Sequence, residues 1–314
     1  MNGDVLIIGA AGKMGPSLAR RVHAAMRRTR SPHRVLAVSR FSTPAVRERL
    51  AADGIDTLAC DLLDPDQISA LPPAENVLFL AGRKFGTQDR TDVTWATNTI
   101  VPARVAEHFE QSRMVVFSTG NVYPLVPAGG PGSNEDDPPA PAGEYAQSCL
   151  GRERVVEFVS RERNLRALHF RLNYAVDLRY GTLVDIARKV LAGAEIDLAM
   201  GFFNAIWQGD ANSYALRGLE LCSSPPAVLN VTGPERISVR ETAEWFAAIF
   251  GRPPRFVNTE GPVALLSDSS RCRSLLGEPT VPLAVLRQWV AHWVRAGGAS
   301  LNKPTHFEVT DGRY

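Results

Sequence analysis

The sequence has few cysteines, and none of them is spaced for a disulfide framework or a metal site. Its 314 residues include only four cysteines, and none belongs to a CxxC pair: Cys60, Cys149, Cys222 and Cys272. No histidine or acidic residue lies near them at the spacing of metal ligands. We therefore expect reduced cysteines, no bound metal and a cytoplasmic location.

The sequence also lacks long apolar runs and a strong excess of one charge. No apolar stretch reaches the roughly 18 residues of a membrane span, and the N-terminus has no charged leader followed by an apolar core. The net charge is +2 at pH 7. We therefore expect binding to neither membranes nor nucleic acid, and we interpret the basic run 27–34 as a solvated helix end.

Short apolar runs alternate with helical patterns through the first half of the chain. The runs DVLIIG, VLAVSR, NVLFLAG, MVVFSTGNVY and LRALHFRL are typical of strands buried on both faces, and another strand is expected at 55–60. Helical patterns lie between them, including one over 92–111 and one after Gly143. This alternation predicts an α/β fold with a doubly wound parallel sheet of the Rossmann type.

The predicted organisation has two unequal parts. We place a dinucleotide-binding Rossmann domain at 1–172 and a smaller, helix-rich substrate-binding subdomain at 173–314, interleaved with late Rossmann elements. The Pro- and Gly-rich segment 125–143 is expected to be a wall or lid of the active site. The C-terminal segment 302–314 is expected either to dock on the surface or to fold over the site.

A glycine-rich turn lies between the first predicted strand and the first predicted helix. Glycines in such a turn allow the backbone to approach a pyrophosphate at the helix N-terminus. With a strand before it and a helix after it, the pattern predicts a dinucleotide site. The candidate cofactor-binding residues of the turn are Gly9, Ala11, Gly12, Lys13, Met14 and Gly15.

The second predicted strand ends in Ser39 and Arg40. An acidic residue at this place would bind the ribose 2′-hydroxyl of NAD, whereas a hydroxyl and a planar cation suit a 2′-phosphate. Lys13 is expected to add positive charge. We therefore predict NADP as the preferred cofactor and NAD as the alternative; the competing interpretation of Arg40 is an ordinary surface arginine.

Three motifs together resemble one family. They are GxxGxxG at 9–15, FSTGNVY at 117–123 and YAQS at 145–148. They resemble the extended short-chain dehydrogenase/reductase superfamily, the NAD-dependent epimerase/dehydratase family, over nearly the whole chain. The resemblance implies a sugar-like or other polyhydroxylated small-molecule substrate and a homodimer formed by the helices at 92–111 and after Gly143. It also implies cofactor contacts at Asp61, Leu62, Leu80, Ala81, Gly82, Asn98 and Tyr145.

The resemblance also assigns catalytic roles. Thr119 would hydrogen-bond the substrate oxygen, and Tyr145 would donate or accept the proton as hydride moves. A dehydratase of this family would have Asp-Glu after the threonine, but here Gly120 and Asn121 follow. Dehydration therefore lacks its acid and base, while epimerisation and simple carbonyl reduction stay open.

One position departs from the family pattern. The family has a lysine four residues after the tyrosine, and this sequence has Cys149. A neutral thiol neither holds ribose hydroxyls well nor lowers a tyrosine pKa from about 10. We therefore expect Tyr145 to be a better acid than base, which favours carbonyl reduction.

The departure leaves two interpretations. We keep Cys149 among the candidate catalytic positions because it stands in the lysine's place, although a buried thiol is more typical of packing. Lys84 is the candidate substitute cation, and the loop residues Arg83 and Lys84, together with Arg171, are candidates to meet an anionic substrate group. The alternative to an enzyme is a catalytically impaired NAD(P)-binding sensor or scaffold.

Overall fold

A seven-stranded parallel sheet forms the centre of the fold. The computed structural model describes residues 2–84, 89–303, 305–309 and 312. The strands of the sheet are β1 (Val5–Ile8), β2 (Val35–Ser39), β3 (Asp56–Ala59), β4 (Asn76–Phe79), β5 (Arg113–Thr119), β6 (Arg166–Leu172) and β7 (Ala227–Val231). Their order is β7-β6-β5-β4-β1-β2-β3, and every neighbouring pair is parallel. The predicted Rossmann-type class is confirmed.

Helices and short strand pairs connect and cover this sheet. The helices are α1 (Gly15–Arg28), α2 (Pro44–Ala52), α3 (Pro65–Ser69), α4 (Thr91–Trp95), α5 (Val101–His108), α6 (Gly143–Arg163), α7 (Thr182–Ala192), α8 (Gln208–Arg217), α9 (Val239–Phe250), α10 (Ser270–Leu276) and α11 (Leu283–Arg295). Short strands pair Val126–Pro127 with Val263–Ala264, Ala175–Val176 with Ile206–Trp207, Glu195–Asp197 with Arg255–Val257, and Phe202–Phe203 with Ile237–Ser238.

The first strand and helix follow directly from their residues. All four residues of β1 are buried, as a strand covered on both faces requires. Helix α1 has a proline in its first turn, where the missing N–H costs nothing. Its apolar residues Leu18, Val22 and Met26 recur at helical spacing and are buried, so this face packs on the sheet.

The helix predicted over 92–111 contains a wider turn. Helix α4 runs into a π-helical turn at Ala96–Ile100 before α5 begins. Pro102 has no N–H, and a proline ring crowds the carbonyl four residues earlier, which here belongs to Asn98. π-Helical turns are common at functional sites. Here the turn carries the fully buried Asn98.

The three largest apolar clusters of the described residues form most of the core. One lies on the sheet face that α1 and α8 cover, and another on the face that α5 and α6 cover. The third joins α7, α9 and α11 with Phe307 from the C-terminal segment. The sheet order reverses between β1 and β4, so the carboxyl ends of these strands border the crevice where α/β folds bind ligands.

Candidate active site

The glycine turn after β1 is pressed against the loop that follows β4. Gly9 has φ +89°, and a Cβ there would lie 2.7 Å from the Ala81 nitrogen. A Cβ on Gly15 would collide with the Ala10 carbonyl. Both positions therefore require glycine, for left-handed backbone at one and for close helix–strand packing at the other.

A cavity of about 660 Å³ opens at this crevice. Ten of the predicted cofactor residues line it: Gly9, Ala11, Gly12, Ser39, Arg40, Asp61, Leu62, Leu80, Ala81 and Gly82. Lys84 and Lys303 also line it, as do Phe41, Ser42 and Thr43 after β2. Its volume is typical of cofactor sites, and glycine backbone, hydroxyls and a cation suit a dinucleotide. The residues present therefore fit the cofactor that the fold implies.

Three residues of the glycine turn lie outside the cavity lining. The Lys13 ammonium donates a hydrogen bond to the Ala175 carbonyl at 2.5 Å and lies 4.3 Å from the centre of the Tyr180 ring. Burial lowers the pKa of Lys13 to about 7. Met14 packs on the first apolar cluster, and Gly15 is buried at the start of α1. Lys13 therefore points towards Ala175 and Tyr180, whereas it was expected to add positive charge for a 2′-phosphate.

The Asn98 side chain links the loop after β4 to α6 through hydrogen bonds. Its side-chain oxygen accepts hydrogen bonds from the Arg83 backbone N–H at 2.9 Å and from Arg152 at 2.7 Å. Its amide nitrogen donates to the Arg83 carbonyl at 3.1 Å and to the Ser148 hydroxyl at 2.9 Å. These bonds use the amide on protein groups, so Asn98 positions the cavity wall.

Thr119 and Tyr145 meet where β5 ends against α6. Thr119 and Cys149 are each hydrogen-bonded to the Tyr145 side chain. Tyr145 packs with the buried residues Val122, Tyr123 and Cys149. Burial raises the Tyr145 pKa well above its ordinary value, while the charge of Arg152 and the bond to Thr119 act against that rise. The phenol is therefore neutral at physiological pH.

Lys84 reaches this group from the loop after β4. Its ammonium lies 5.9 Å from the centre of the Tyr145 ring. Burial lowers the pKa of Lys84 to about 8, with Cys149 and Asp185 acting in the opposite direction. Burial also raises the pKa of the Cys149 thiol, which is fully enclosed. A protonated thiol thus stands where the family resemblance implies a lysine, and an ammonium from a different element lies near the Tyr145 ring.

A buried polar network beneath Tyr145 was not predicted from the sequence. Arg171 pairs with Glu153 through bonds of 3.0 and 2.7 Å and donates to the Tyr123 hydroxyl at 2.5 Å. Ser118 donates to the same carboxylate at 2.5 Å. Arg171 therefore forms a buried ion pair with Glu153, which corrects the expectation that it meets an anionic group of the substrate. Arg152 and Glu153 follow Tyr145 by two helical turns, and that spacing was the available signal.

The C-terminal segment reaches the cavity. Lys303 lines it, and Thr305 donates two hydrogen bonds, of 2.8 and 2.6 Å, to Asp185 on α7. Phe307 is buried in the third apolar cluster. Gly312 packs on Gly143, where a Cβ would collide with the Gly312 carbonyl. The described residues of this segment therefore show features of both expectations, docking at Thr305 and Phe307 and contact with the cavity at Lys303, while residues 304, 310, 311, 313 and 314 lie outside the described part of the chain.

The remaining expectations concern metals and membranes. The four cysteines are free. Over the described residues, no cluster of three or more histidine, cysteine or acidic side chains could hold a metal ion. The helices in that same part of the chain include none with the length and apolar character of a membrane span.

Comparison with solved structures shows the same fold in sugar-nucleotide enzymes. A UDP-glucuronic acid 4-epimerase from Bacillus cereus, in complex with NAD, is 17% identical with a TM-score of 0.77, covering 93% of this chain and 99% of that one. A UDP-glucose 4-epimerase from Thermus thermophilus, also in complex with NAD, is 19% identical with a TM-score of 0.75, covering 93% of this chain and 99% of that one. Pal from Bacillus thuringiensis is 18% identical with a TM-score of 0.76, and the match covers 93% of this chain and 99% of Pal.

Sequence comparisons give the family. No curated protein matches the sequence. The model of the NAD dependent epimerase/dehydratase family matches residues 5–176, more than half of the chain. With the glycine turn and its cavity at the carboxyl ends of β1 and β4, this match shows that the chain belongs to the NAD-dependent epimerase/dehydratase family and is an NAD-dependent enzyme of the epimerase/oxidoreductase type.

Proposed function

We propose that this enzyme is an NADP(H)-preferring reductase or epimerase that acts on a sugar-like or other polyhydroxylated small molecule. One arrangement supports this most directly. The phenol of Tyr145 is hydrogen-bonded to Thr119, and the ammonium of Lys84, a cavity-lining residue, lies 5.9 Å from its ring. A proton donor, a second hydroxyl and a cation thus stand together beside the cofactor cavity.

The cofactor preference rests on the end of β2. Ser39, Arg40, Ser42 and Thr43 line the cavity there, and none is acidic. Hydroxyls and a guanidinium would hold a 2′-phosphate, whereas a carboxylate would repel it. The similar epimerase structures contain NAD, so binding of NAD in the same cavity is the alternative.

The proton chemistry follows from the surroundings of Tyr145. A bound nicotinamide dinucleotide supplies or accepts the hydride. The neutral phenol of Tyr145 donates its proton to the substrate oxygen, and the Thr119 hydroxyl hydrogen-bonds that oxygen. Lys84 is charged below about pH 8 and stabilises the phenolate that remains. Because burial raises the Tyr145 pKa, the phenol is protonated at neutral pH and the phenolate needed as a base is scarce, so carbonyl reduction is the favoured direction.

The substrate class rests on the family and the structural neighbours. The epimerases from Thermus thermophilus and Bacillus cereus are named for UDP-glucose and UDP-glucuronic acid. A sugar or sugar derivative would lie between the cavity and residues 173–314, which we propose as the substrate-binding subdomain. Lys303 brings the C-terminal segment to the same cavity.

The assembly and location are further parts of this proposal. We infer a homodimer because large apolar side chains are exposed on neighbouring helical segments, with Trp95 at 37%, Ile100 at 48% and Phe158 at 64%. Helix α6 packs beside α4, α5 and the π-helical turn, so these residues belong to one helical layer. The free thiols fit a reducing compartment such as the cytoplasm.

The alternative is a cofactor-binding sensor or scaffold without turnover, and Cys149 in the lysine's place favours it. Calorimetry with NADP(H) and NAD(H), followed by stopped-flow loss of NADPH absorbance with a panel of keto-sugars, separates the two. We expect binding and turnover, and Tyr145→Phe should lower turnover about 10²–10⁴-fold while cofactor binding is kept. Binding without turnover on any keto-sugar would favour the scaffold, and full turnover by Tyr145→Phe would refute the proton-transfer role.

A further inference from the structure

Arg152 lies on the same face of α6 as Tyr145, seven residues along the helix. Two helical turns span 7.2 residues, so the two side chains leave the helix in nearly the same direction, with Cys149 between them. Arg152 is only 5% exposed. A buried arginine on the catalytic face, one turn beyond the position that has lost its lysine, needs a physical explanation.

The guanidinium of Arg152 is held by oxygen atoms of two elements. It donates to the Phe117 carbonyl of β5 at 2.6 Å and to the Asn98 side chain at 2.7 Å. It also approaches the loop after β4, because a Cβ added to Gly82 would lie 2.5 Å from its terminal nitrogen. Gly82 lines the cofactor cavity, so Arg152 supports the cavity wall from beneath.

The charge of Arg152 is not cancelled by a neighbouring carboxylate. The adjacent Glu153 pairs with Arg171. Between residues 2 and 312, over the positions that the structure describes, no carboxylate forms an ion pair with Arg152. Its two acceptors are neutral oxygens. A buried cation with neutral partners acts over several ångströms, because little solvent screens it.

The charge of Arg152 acts on Tyr145 and Cys149, which occupy the positions of the family's tyrosine and lysine. Burial raises the pKa of both Tyr145 and Cys149, and the charge of Arg152 lowers both. The other titratable groups facing this pair are Lys84 from the loop after β4, which lowers the Cys149 pKa, and Glu153, which raises it. Lys84 and Arg152 thus act on the pair from different elements.

We propose that Arg152 is a positioning residue that restores the positive charge missing at position 149, stabilising the Tyr145 phenolate from beneath while holding the loop after β4 against α6. This inference rests on the proposed function, because it assumes that Tyr145 transfers the proton. An arginine suits the place because its planar fork can bind Phe117 and Asn98 at once, which a single ammonium does less well.

The test compares the pH dependence of kcat for oxidation of the alcohol that the preferred keto-sugar yields. In this profile kcat rises with pH as Tyr145 loses its proton, and we call this part the rising limb. Removing the charge with Arg152→Gln, which keeps an amide donor, should move the rising limb to higher pH by about one unit, so that kcat falls about tenfold at a fixed pH on that limb. Arg152→Lys should keep the wild-type limb. Arg154→Met, at an exposed arginine two residues later, is the matched control and should change nothing.

A second variant, which moves the positive charge from position 152 to position 149, provides the test if Arg152→Gln folds poorly. In Cys149→Lys/Arg152→Gln the charge returns to the family position, and the rising limb should return to its wild-type pH. Thermal melting of each variant reports folding separately. An unchanged limb in Arg152→Gln, or failure of the folded double variant to restore it, would overturn the role of Arg152. Turnover by Tyr145→Phe would instead overturn the proposed function itself.

Discussion

The ammonium of Lys84 lies 5.9 Å from the centre of the Tyr145 ring, and the two residues come from different sides of the site. Tyr145 is in the first turn of α6, and Lys84 follows β4. A cation at this distance stabilises a phenolate electrostatically but cannot occupy the place of a lysine on the helix itself. In the proposed mechanism, Lys84 would therefore supply the electrostatic part of the family's tyrosine–lysine pair from a different geometry.

The charge of Lys84 should be measurable in the pH profile. Its pKa of about 8 means that it is charged below that pH and neutral above it. We expect kcat/KM for oxidation to lose the Lys84 contribution as pH rises through about 8, and Lys84→Arg to keep it to higher pH. Lys84→Met should lower kcat about tenfold at pH 7, whereas wild-type kinetics in that variant would exclude the role.

The end of β2 should decide cofactor preference. Arg40 is exposed and lines the cavity. Because a charge-assisted hydrogen bond contributes about 1.5–3 kcal/mol, Arg40→Leu should raise the Kd for NADP about 10- to 100-fold and leave that for NAD within about threefold. Calorimetry measures both. Arg49→Leu, which changes an exposed arginine in the neighbouring helix α2, is the control. Equal losses of affinity for NADP and NAD in Arg40→Leu would count against a 2′-phosphate contact.

Lys13 should make stability depend on pH. Its folded-state pKa is about 7 and its ordinary value is 10.5, so between these values the unfolded chain binds more protons than the folded one. The free energy of unfolding should therefore rise with pH across that window, by on the order of 1 kcal/mol per unit from this group.

Lys13→Met removes this contribution. Urea unfolding at pH 7 and pH 8.5 should show a smaller increase in the variant than in wild type. Lys84, with a pKa of about 8, also titrates in this window and is present in both proteins, so the difference between the two pH dependences reports Lys13. Parallel pH dependences in the two proteins would show that Lys13 is charged in the fold.

The C-terminal segment should contribute to stability through Phe307. This side chain is 1% exposed in the cluster with α7 and α9, and the Lys189 ammonium lies 5.7 Å from its ring centre. Phe307→Ala should lower the free energy of unfolding by about 3–5 kcal/mol. Val309→Ala, at a half-buried residue nearby, should have a much smaller effect. Wild-type thermal melting of Phe307→Ala would mean that the segment adds little to the fold.

The exposed apolar side chains of α4, the π-helical turn and α6 should form the dimer interface. Phe158, at 64% exposure, is the largest apolar contributor on α6. Phe158→Glu should convert the dimer to a monomer in sedimentation velocity, because it places a charge in the apolar contact. Leu275→Glu changes an equally prominent apolar residue on α10 and should leave the dimer intact. A monomeric wild-type protein would exclude the proposed assembly.

The cofactor site was predictable because its determinants are local in sequence. A glycine turn between a strand and a helix, and the residue types that end β2, report the backbone that a dinucleotide needs. Thr119 and Tyr145 were assigned by a resemblance between short motifs; the structure brings them into hydrogen-bond contact, and their catalytic roles stay a prediction. The π-helical turn at Asn98 was missed, because the apolar periodicity of 92–111 continues through it and only Pro102 indicates a break.

The sequence by itself determined the Rossmann class and the glycine turn, and it has a cysteine at position 149, where the family resemblance implies a lysine. The sequence offered Lys84 as a candidate cation, but only the tertiary structure placed its ammonium 5.9 Å from the centre of the Tyr145 ring and bonded Arg152 to Phe117 and Asn98. The tertiary structure also decided that Arg171 is paired and that Lys13 lies beside Tyr180. The physical reason is that a charge acts through distance and burial, and both are set by chain segments far apart in sequence.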